Sequence, residues 1–420
     1  MNRRRLLQGL SLSVLSAKLF PASSVYGQAV KAKVETPRPI AANDRVNVGV
    51  IGPGSRGQEL IRQLLRTPGV EIAAVCDVYE PRFAEVNELV GKKVPGYKNG
   101  HELLERKDLD AIFIATPPVF HAEYAIAAMK SGRPVYGEKT LGFTPEDCTN
   151  IIDTVSKTGQ IFQIGHQARY ASWIRDSIKR VHQGEIGEPT QVYAYYHRTD
   201  NWRREVPNPS LERLMNWRLY RESSGGLLEE LGSHQIDVAN WVFNEQPQDV
   251  LGSTSISVYH DGRTVGDNVQ AVLGYSKGRH MFFSSITDNG LVGNQLWVYG
   301  TNGSLQITGE DATFYRKKEK TITAASHTHV IERGLKTGAS YNPDGAMPYR
   351  GPGDPVPIRN NEEPTLTACK SFIECVRAKQ QPFASAEVGF KSAMACSVGK
   401  HAVREQRMIK VPQFKDLRNT

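Results

Sequence analysis

The stretch VNVGVIGPGSRGQEL, residues 46–60, limits the possible folds of this chain more than any other. It sets Gly52, Gly54 and Gly57 in a G-x-G-x-x-G spacing between a β-branched run and an amphipathic run. Glycines at these points let a backbone turn sharply between strand and helix and come close to a pyrophosphate, which the free amides and positive dipole of the helix start then hold. Asp77 closes the next β-branched run, twenty residues after Gly57, where a carboxylate accepts from the ribose hydroxyls of a dinucleotide. A bare carboxylate there repels a 2′-phosphate, which favours NAD, while the nearby Arg82 leaves NADP open.

The pattern continues as alternating strand-like and helical runs, VEIAAVCD, LDAIFIATP, HAEYAIAAMKSG and PVYGEK, which predicts a doubly wound parallel sheet over residues 45–165. Beyond it, over 166–408, TQVYAYYHR, VLGSTSISVYHDG, NVQAVLGYSKGRHMFFSSIT and NQLWVYGTNGSLQIT predict an α+β domain with a large, mostly antiparallel open sheet. Two amphipathic helices over 365–405 are expected to pack back towards the first domain, and 317–364 reads as a long irregular excursion.

The 420-residue chain carries a net charge of +8, of which Arg3, Arg4, Arg5 and Lys18 supply four. The remaining surplus is small and undivided into basic runs, which argues against a nucleic-acid partner. Residues 1–29 read as a signal peptide whose NRRRLLQ resembles the twin-arginine motif, with 30–44 as linker, so export to the periplasm is expected. No later stretch is long and apolar enough for a membrane span. The five cysteines show no metal or disulfide spacing and are expected to be buried thiols. His327 and His329 are read as loop residues and not metal ligands, because no third ligand follows at motif spacing.

Three further stretches, ATPPVFHAEYAIAAMKSGRPVYGEKT, GGLLEELGSHQID and the antiparallel half that follows, together with the glycine fingerprint, resemble the glucose-fructose oxidoreductase/inositol dehydrogenase (Gfo/Idh/MocA) family over most of residues 45–400. The resemblance implies a Rossmann domain, an α/β domain whose open sheet serves as an oligomer interface, and an active site between them. The family's E-K-P lysine falls on Lys139, and its D-x-x-x-H pair on Glu230 and His234, with Asp237 closing the motif. Two departures stand out. Thr140 replaces proline, which argues against a cis peptide at that turn. Glu230 replaces aspartate and reaches one methylene farther.

Read physically, Glu230 and His234 are four residues apart on a predicted helix and share a face. His234 is the better base for a secondary alcohol, Lys139 is the cation that steadies an alkoxide, and Glu230 or Asp237 would orient the imidazole. Ser55, Arg56, Thr116, Pro117, His121 and Glu138 complete the candidate cofactor contacts. His166, Gln167 and Arg169 at the domain junction face nicotinamide or substrate, or else belong to a purely structural strand. The pairs Trp202/Arg203 and Trp217/Arg218 read as a carbohydrate-facing lid, with domain packing as the alternative.

An export signal and a socket for a cytoplasmic cofactor imply a protein that folds around its dinucleotide before leaving and regenerates it within each cycle. The favoured function is NAD(P)-dependent oxidation of a sugar-type secondary alcohol. An NAD-dependent glycosidase or epimerase using transient oxidation is the alternative, and a non-catalytic nucleotide-loaded binding protein is a second.

Overall fold

The computed structural model describes residues 45–316, 352–359 and 362–417. The export signal, the linker, His327, His329 and most of the 317–364 excursion lie outside the described residues.

The first sheet is built from β1 (Val46–Ile51), β2 (Val70–Cys76), β3 (Gly96–Tyr97), β4 (Ala111–Ile114), β5 (Val135–Gly137) and β6 (Phe162–Ile164). Its strands are all parallel and lie in the order β3-β2-β1-β4-β5-β6. Every residue of β4, AIFI, is buried, as required of a strand covered on both faces by crossover helices. Those helices are α1 (Ser55–Leu65), α2 (Pro81–Val90), α3 (Gly100–Leu104), α4 (His121–Lys130) and α5 (Pro145–Thr158). α1 buries Leu60, Ile61 and Leu64, the apolar stripe its sequence predicts. A reciprocal Thr144–Asp147 capping box starts α5, and Gly159 at φ 67° ends it. The strand order reverses between β1 and β4, and the crevice beyond their carboxyl ends is where such sheets take ligands.

The remaining elements are α6 (Ser172–His182), β7 (Pro189–Tyr196), α7 (Glu212–Met215), α8 (Ser233–Phe243), β8 (Asp249–Ser255), β9 (Asn268–Gly274), β10 (His280–Ile286), β11 (Asn294–Gly300), β12 (Gly303–Thr308), β13 (Ala312–Arg316), β14 (Asp354–Pro355), α9 (Pro364–Ala378), α10 (Ala386–Glu405) and β15 (Ile409–Lys410). Their strands form a second sheet in the order β14-β13-β12-β11-β7-β10-β9-β8-β15. Among the described residues β7 and β10 are its one parallel pair. The predicted parallel and mostly antiparallel sheets are thus both present.

Alternation along β7 and β10 sends Val192, Ala194, Met281 and Phe283 into the core beneath α8. The opposite face carries aromatic side chains that stay partly exposed: Tyr193 stacks on Phe282 at 4.6 Å, and Trp297 on Tyr315 at 5.5 Å. At the far end of the chain, Phe372 of α9 packs edge-on to Phe113 of β4 and Tyr136 of β5, at 5.2 and 5.8 Å. All five cysteines are free, four buried and Cys375 half-buried. Among the described residues no helix is long and apolar enough to cross a membrane.

Candidate active site

Gly52 has φ 86°, and a Cβ there would lie 2.7 Å from the Thr116 amide nitrogen, so only glycine lets β1 pass this close to the end of β4. Gly54 differs: nothing lies within 4 Å of where its Cβ would stand, so it borders open space at the start of α1, which has no side-chain cap. A cleft of about 240 Å³ opens there. It is lined on one side by Ser55, Arg56, Asp77, Thr116 and Pro117, and on the other by Trp217 and Arg218. Asp77 accepts from the Tyr79 amide at 2.9 Å; burial raises its carboxyl pKa, against the pull of that amide and of Arg82. Arg82 is itself held by Glu85 at 2.6 Å.

These residues fit a dinucleotide. Besides the open space at Gly54, Thr116 Oγ1 and Arg56 Nη2 are buried with no partner in the protein, so the cleft has polar groups available to a ligand. Arg56 is anchored from the other side, its Nε donating to Glu138 at 2.8 Å. Among the described residues no three His, Cys, Asp or Glu side chains are gathered to hold a metal ion.

Behind the cleft the turn after β5 carries Lys139. The Lys139–Thr140 peptide is cis, although Thr140 stands in place of proline, which corrects the expectation from sequence. Lys139 Nζ donates to the Glu230 carbonyl at 2.8 Å and lies 3.7 Å from the Glu230 carboxylate. Arg218 Nε donates to that carboxylate at 3.0 Å. Burial alone would raise the Glu230 pKa, but Lys139 and Arg218 outweigh it and the group is held low, as an anion. Its second oxygen, Oε1, is buried without a partner.

His234 is half-buried, with its ring edge-on to His166 at 5.9 Å. Burial, and then Lys139, His166 and Arg56, hold its pKa well below the ordinary histidine value, so the imidazole is neutral and able to take a proton. The expected orienting carboxylates are engaged elsewhere. Asp237 is gripped by Arg169, with Nε and Nη2 donating at 2.8 and 2.9 Å, and Glu230 serves Lys139 and Arg218. Residues 228–232 form a π-type turn ahead of α8, so Glu230 and His234 do not belong to one regular helix.

The other sequence candidates divide between the site and the scaffold. His121 opens α4 and ties two loops together, its ring nitrogens 2.5 and 2.9 Å from the carbonyls of Thr140 and Thr116. His166 bonds Ser392 at 2.8 Å while its Nδ1 is buried without a partner, as is Oε1 of the half-buried Gln167. Arg169, expected at the substrate, is a buried structural residue: besides Asp237 it stacks over Trp241 at 4.8 Å. Trp202 packs against the core and Arg203 pairs with Asp261 at 2.8 Å and Glu212 at 2.5 Å, so this half of the expected lid serves as an anchor. Trp217 and Arg218 do reach the cleft.

Sequence reasoning passed over Glu229. It is 1% exposed, accepts from Thr140 Oγ1 at 3.1 Å and from the Gly225 amide at 2.5 Å, and burial pushes its carboxyl up to about 7 against the pull of Lys400. The adjacent Glu-Glu was the available signal, and the threonine after Lys139 was the other.

Residues 46–166 match the model of an oxidoreductase family with an NAD-binding Rossmann fold, and residues 174–306 match the GFO/IDH/MocA C-terminal domain. The chain belongs to the Gfo/Idh/MocA oxidoreductase family. A family member from Thermotoga maritima, myo-inositol 2-dehydrogenase, is 23% identical, covering 88% of this chain and 99% of its own. The 2,7-anhydro-N-acetylneuraminate hydratase of Mediterraneibacter gnavus is 25% identical, covering 74% and 81%. Levoglucosan dehydrogenase in complex with NADH and L-sorbose superposes with a TM-score of 0.69 at 18% identity, covering 88% of this chain and all of that one. The chain is therefore an oxidoreductase of a family whose members act on sugars and polyols.

Proposed function

We propose that this Gfo/Idh/MocA protein is an NAD(H)-dependent oxidoreductase of a secondary hydroxyl on a sugar or polyol. The observation that carries the reading is a neutral, half-buried His234 beside a Lys139 whose ammonium is fixed by Glu230, both behind the dinucleotide cleft. Gly52, Gly54 and the start of α1 would hold the pyrophosphate, and Asp77 the ribose; bound nicotinamide accepts or returns the hydride. His234 takes the hydroxyl proton, and Lys139 steadies the oxygen as its charge grows. The Glu230 carboxylate keeps that lysine aimed and balances its charge. Asp77 favours NAD over NADP.

Twin-arginine export and retention of the cofactor through each cycle belong to the same reading. Freshly purified protein, once denatured, is expected to release dinucleotide. Absorbance in the reduced-nicotinamide band is then expected to rise with a sugar or polyol and fall again with a carbonyl acceptor. Protein that neither yields nor takes up dinucleotide would sink the proposal.

The likeness to a hydratase favours one second reading, a redox-neutral cycle in which transient oxidation enables elimination or hydrolysis at a neighbouring bond. Product release with no net absorbance change would select it.

A further inference from the structure

Arg204 lies 149 residues from Ser55 in sequence, yet its Nη2 donates to Ser55 Oγ at 3.0 Å, at the first residue of α1. The bond reaches across the mouth of the cleft from the segment 201–218, which also lends Leu214, Met215, Trp217 and Arg218 to the lining.

That segment is a built support. Asn216, buried, accepts from the Arg204 amide at 2.7 Å and donates to the Arg204 carbonyl at 2.9 Å, mimicking a strand partner for one residue. Trp202 takes a left-handed φ of 62°, uncommon for a bulky side chain. Arg203, next along, is fixed by Asp261 and Glu212, and Tyr220 donates to the same Glu212 at 2.5 Å. None of these anchors lies in the cleft, so the segment is held in place without a ligand.

Arg204 itself is left with a neutral partner. Arg82 has Glu85 and Arg218 has Glu230, whereas Arg204 bonds only a hydroxyl and pairs with no carboxylate among the described residues. Arg218 and Arg82 set like charges near it, with Asp200 the carboxylate that opposes them. An anion between α1 and this arginine would relieve that repulsion, and the space beside Gly54 is where the fold sets a pyrophosphate.

We infer that residues 201–218 form a strap across the bound dinucleotide and that Arg204 is its phosphate-binding residue, supplied by the second half of the chain. The inference rests on the dinucleotide reading above and adds to it a physical cause for slow cofactor exchange. A guanidinium forks onto phosphate oxygens, so leaving the cleft requires breaking charge-assisted bonds that the Rossmann half does not make.

The test uses the full-length protein loaded with NADH and chased with excess NAD⁺, following the loss of NADH fluorescence. Arg204→Ala is expected to release NADH at least about tenfold faster than the parent, the loss expected for a charged hydrogen bond. Arg204→Lys, which keeps the charge without the fork, is expected to fall between them. Release from the parent should also quicken more steeply with salt than release from Arg204→Ala. Arg204 is solvent-exposed, so the variants retain the fold, which melting temperature checks. Equal release rates and equal salt response in parent and Arg204→Ala would overturn the strap and leave the dinucleotide reading standing. A parent that takes up no NADH would overturn both.

Discussion

Burial, Lys139, His166 and Arg56 all work against the charged form of His234, so at neutral pH it stands as an imidazole ready to accept a proton. His234→Ala is expected to cut turnover roughly 10²- to 10⁴-fold, the usual worth of a positioned acid–base group, with dinucleotide still released on denaturation. A nucleotide-loaded binding protein would show no such loss. In the parent, the acid limb of kcat/KM should fall below the ordinary histidine value of 6.5. The same shift acts on folding. Below pH 6.5 the unfolded chain protonates this residue before the native one does, so its contribution to stability is present above that pH and is lost as the pH falls. Gly52, Gly54 and Asp77 could be picked out from spacing, and Lys139 and His234 from the family resemblance of their motifs, because each sits in its own local turn or helix. Arg204 could not, since its role depends on a contact 149 residues away.

Two short elements meet behind the site: the cis turn at Lys139–Thr140 and the π-type turn over Leu228–Gly232. The Thr140–Glu229 hydrogen bond joins them. Neither turn has a hydrophobic period, so pattern reading assigned a regular helix to one and found no cis bond in the other. Glu229 was overlooked for the same reason, because a helical register assigns the functional carboxylate to its neighbour. Its folded pKa of about 7 lies above the unfolded 4.5, so its burial costs stability as the pH rises between those values. Glu229→Gln removes that cost and can still bond Thr140. Its unfolding free energy relative to the parent is expected to rise by about 3 kcal/mol from pH 4.5 to pH 8, read by denaturant melts at each pH. A constant difference across that range would show that the native Glu229 carboxyl titrates as it does in the unfolded chain.

Both sheets were legible from the alternation of short runs, since periods of two and 3.6 residues survive without knowledge of tertiary contacts. The parallel pairing of β7 with β10 in the second sheet was not, because alternation does not encode strand direction. On the open face, the aromatic ladder through Tyr193 and Phe282 supports the proposal that copies of the chain associate there. Phe282→Glu is expected to lower the mass measured by light scattering, and an unchanged mass would remove that face from consideration. For the whole chain, Arg4→Lys with Arg5→Lys is expected to leave full-length protein in the cytoplasm while the parent is recovered, shortened, from the periplasm. Equal distribution of the two would rule out the twin-arginine route.

Phe372 seals Phe113 and Tyr136 from a helix encoded some two hundred and fifty residues after the strand it covers. During synthesis those two aromatic rings of the first sheet therefore wait unshielded until the distant α9 has been made. A cleft that uses Arg56, whose guanidinium also reaches Thr365 of α9 at 3.4 Å, would take its final shape only once that helix has docked.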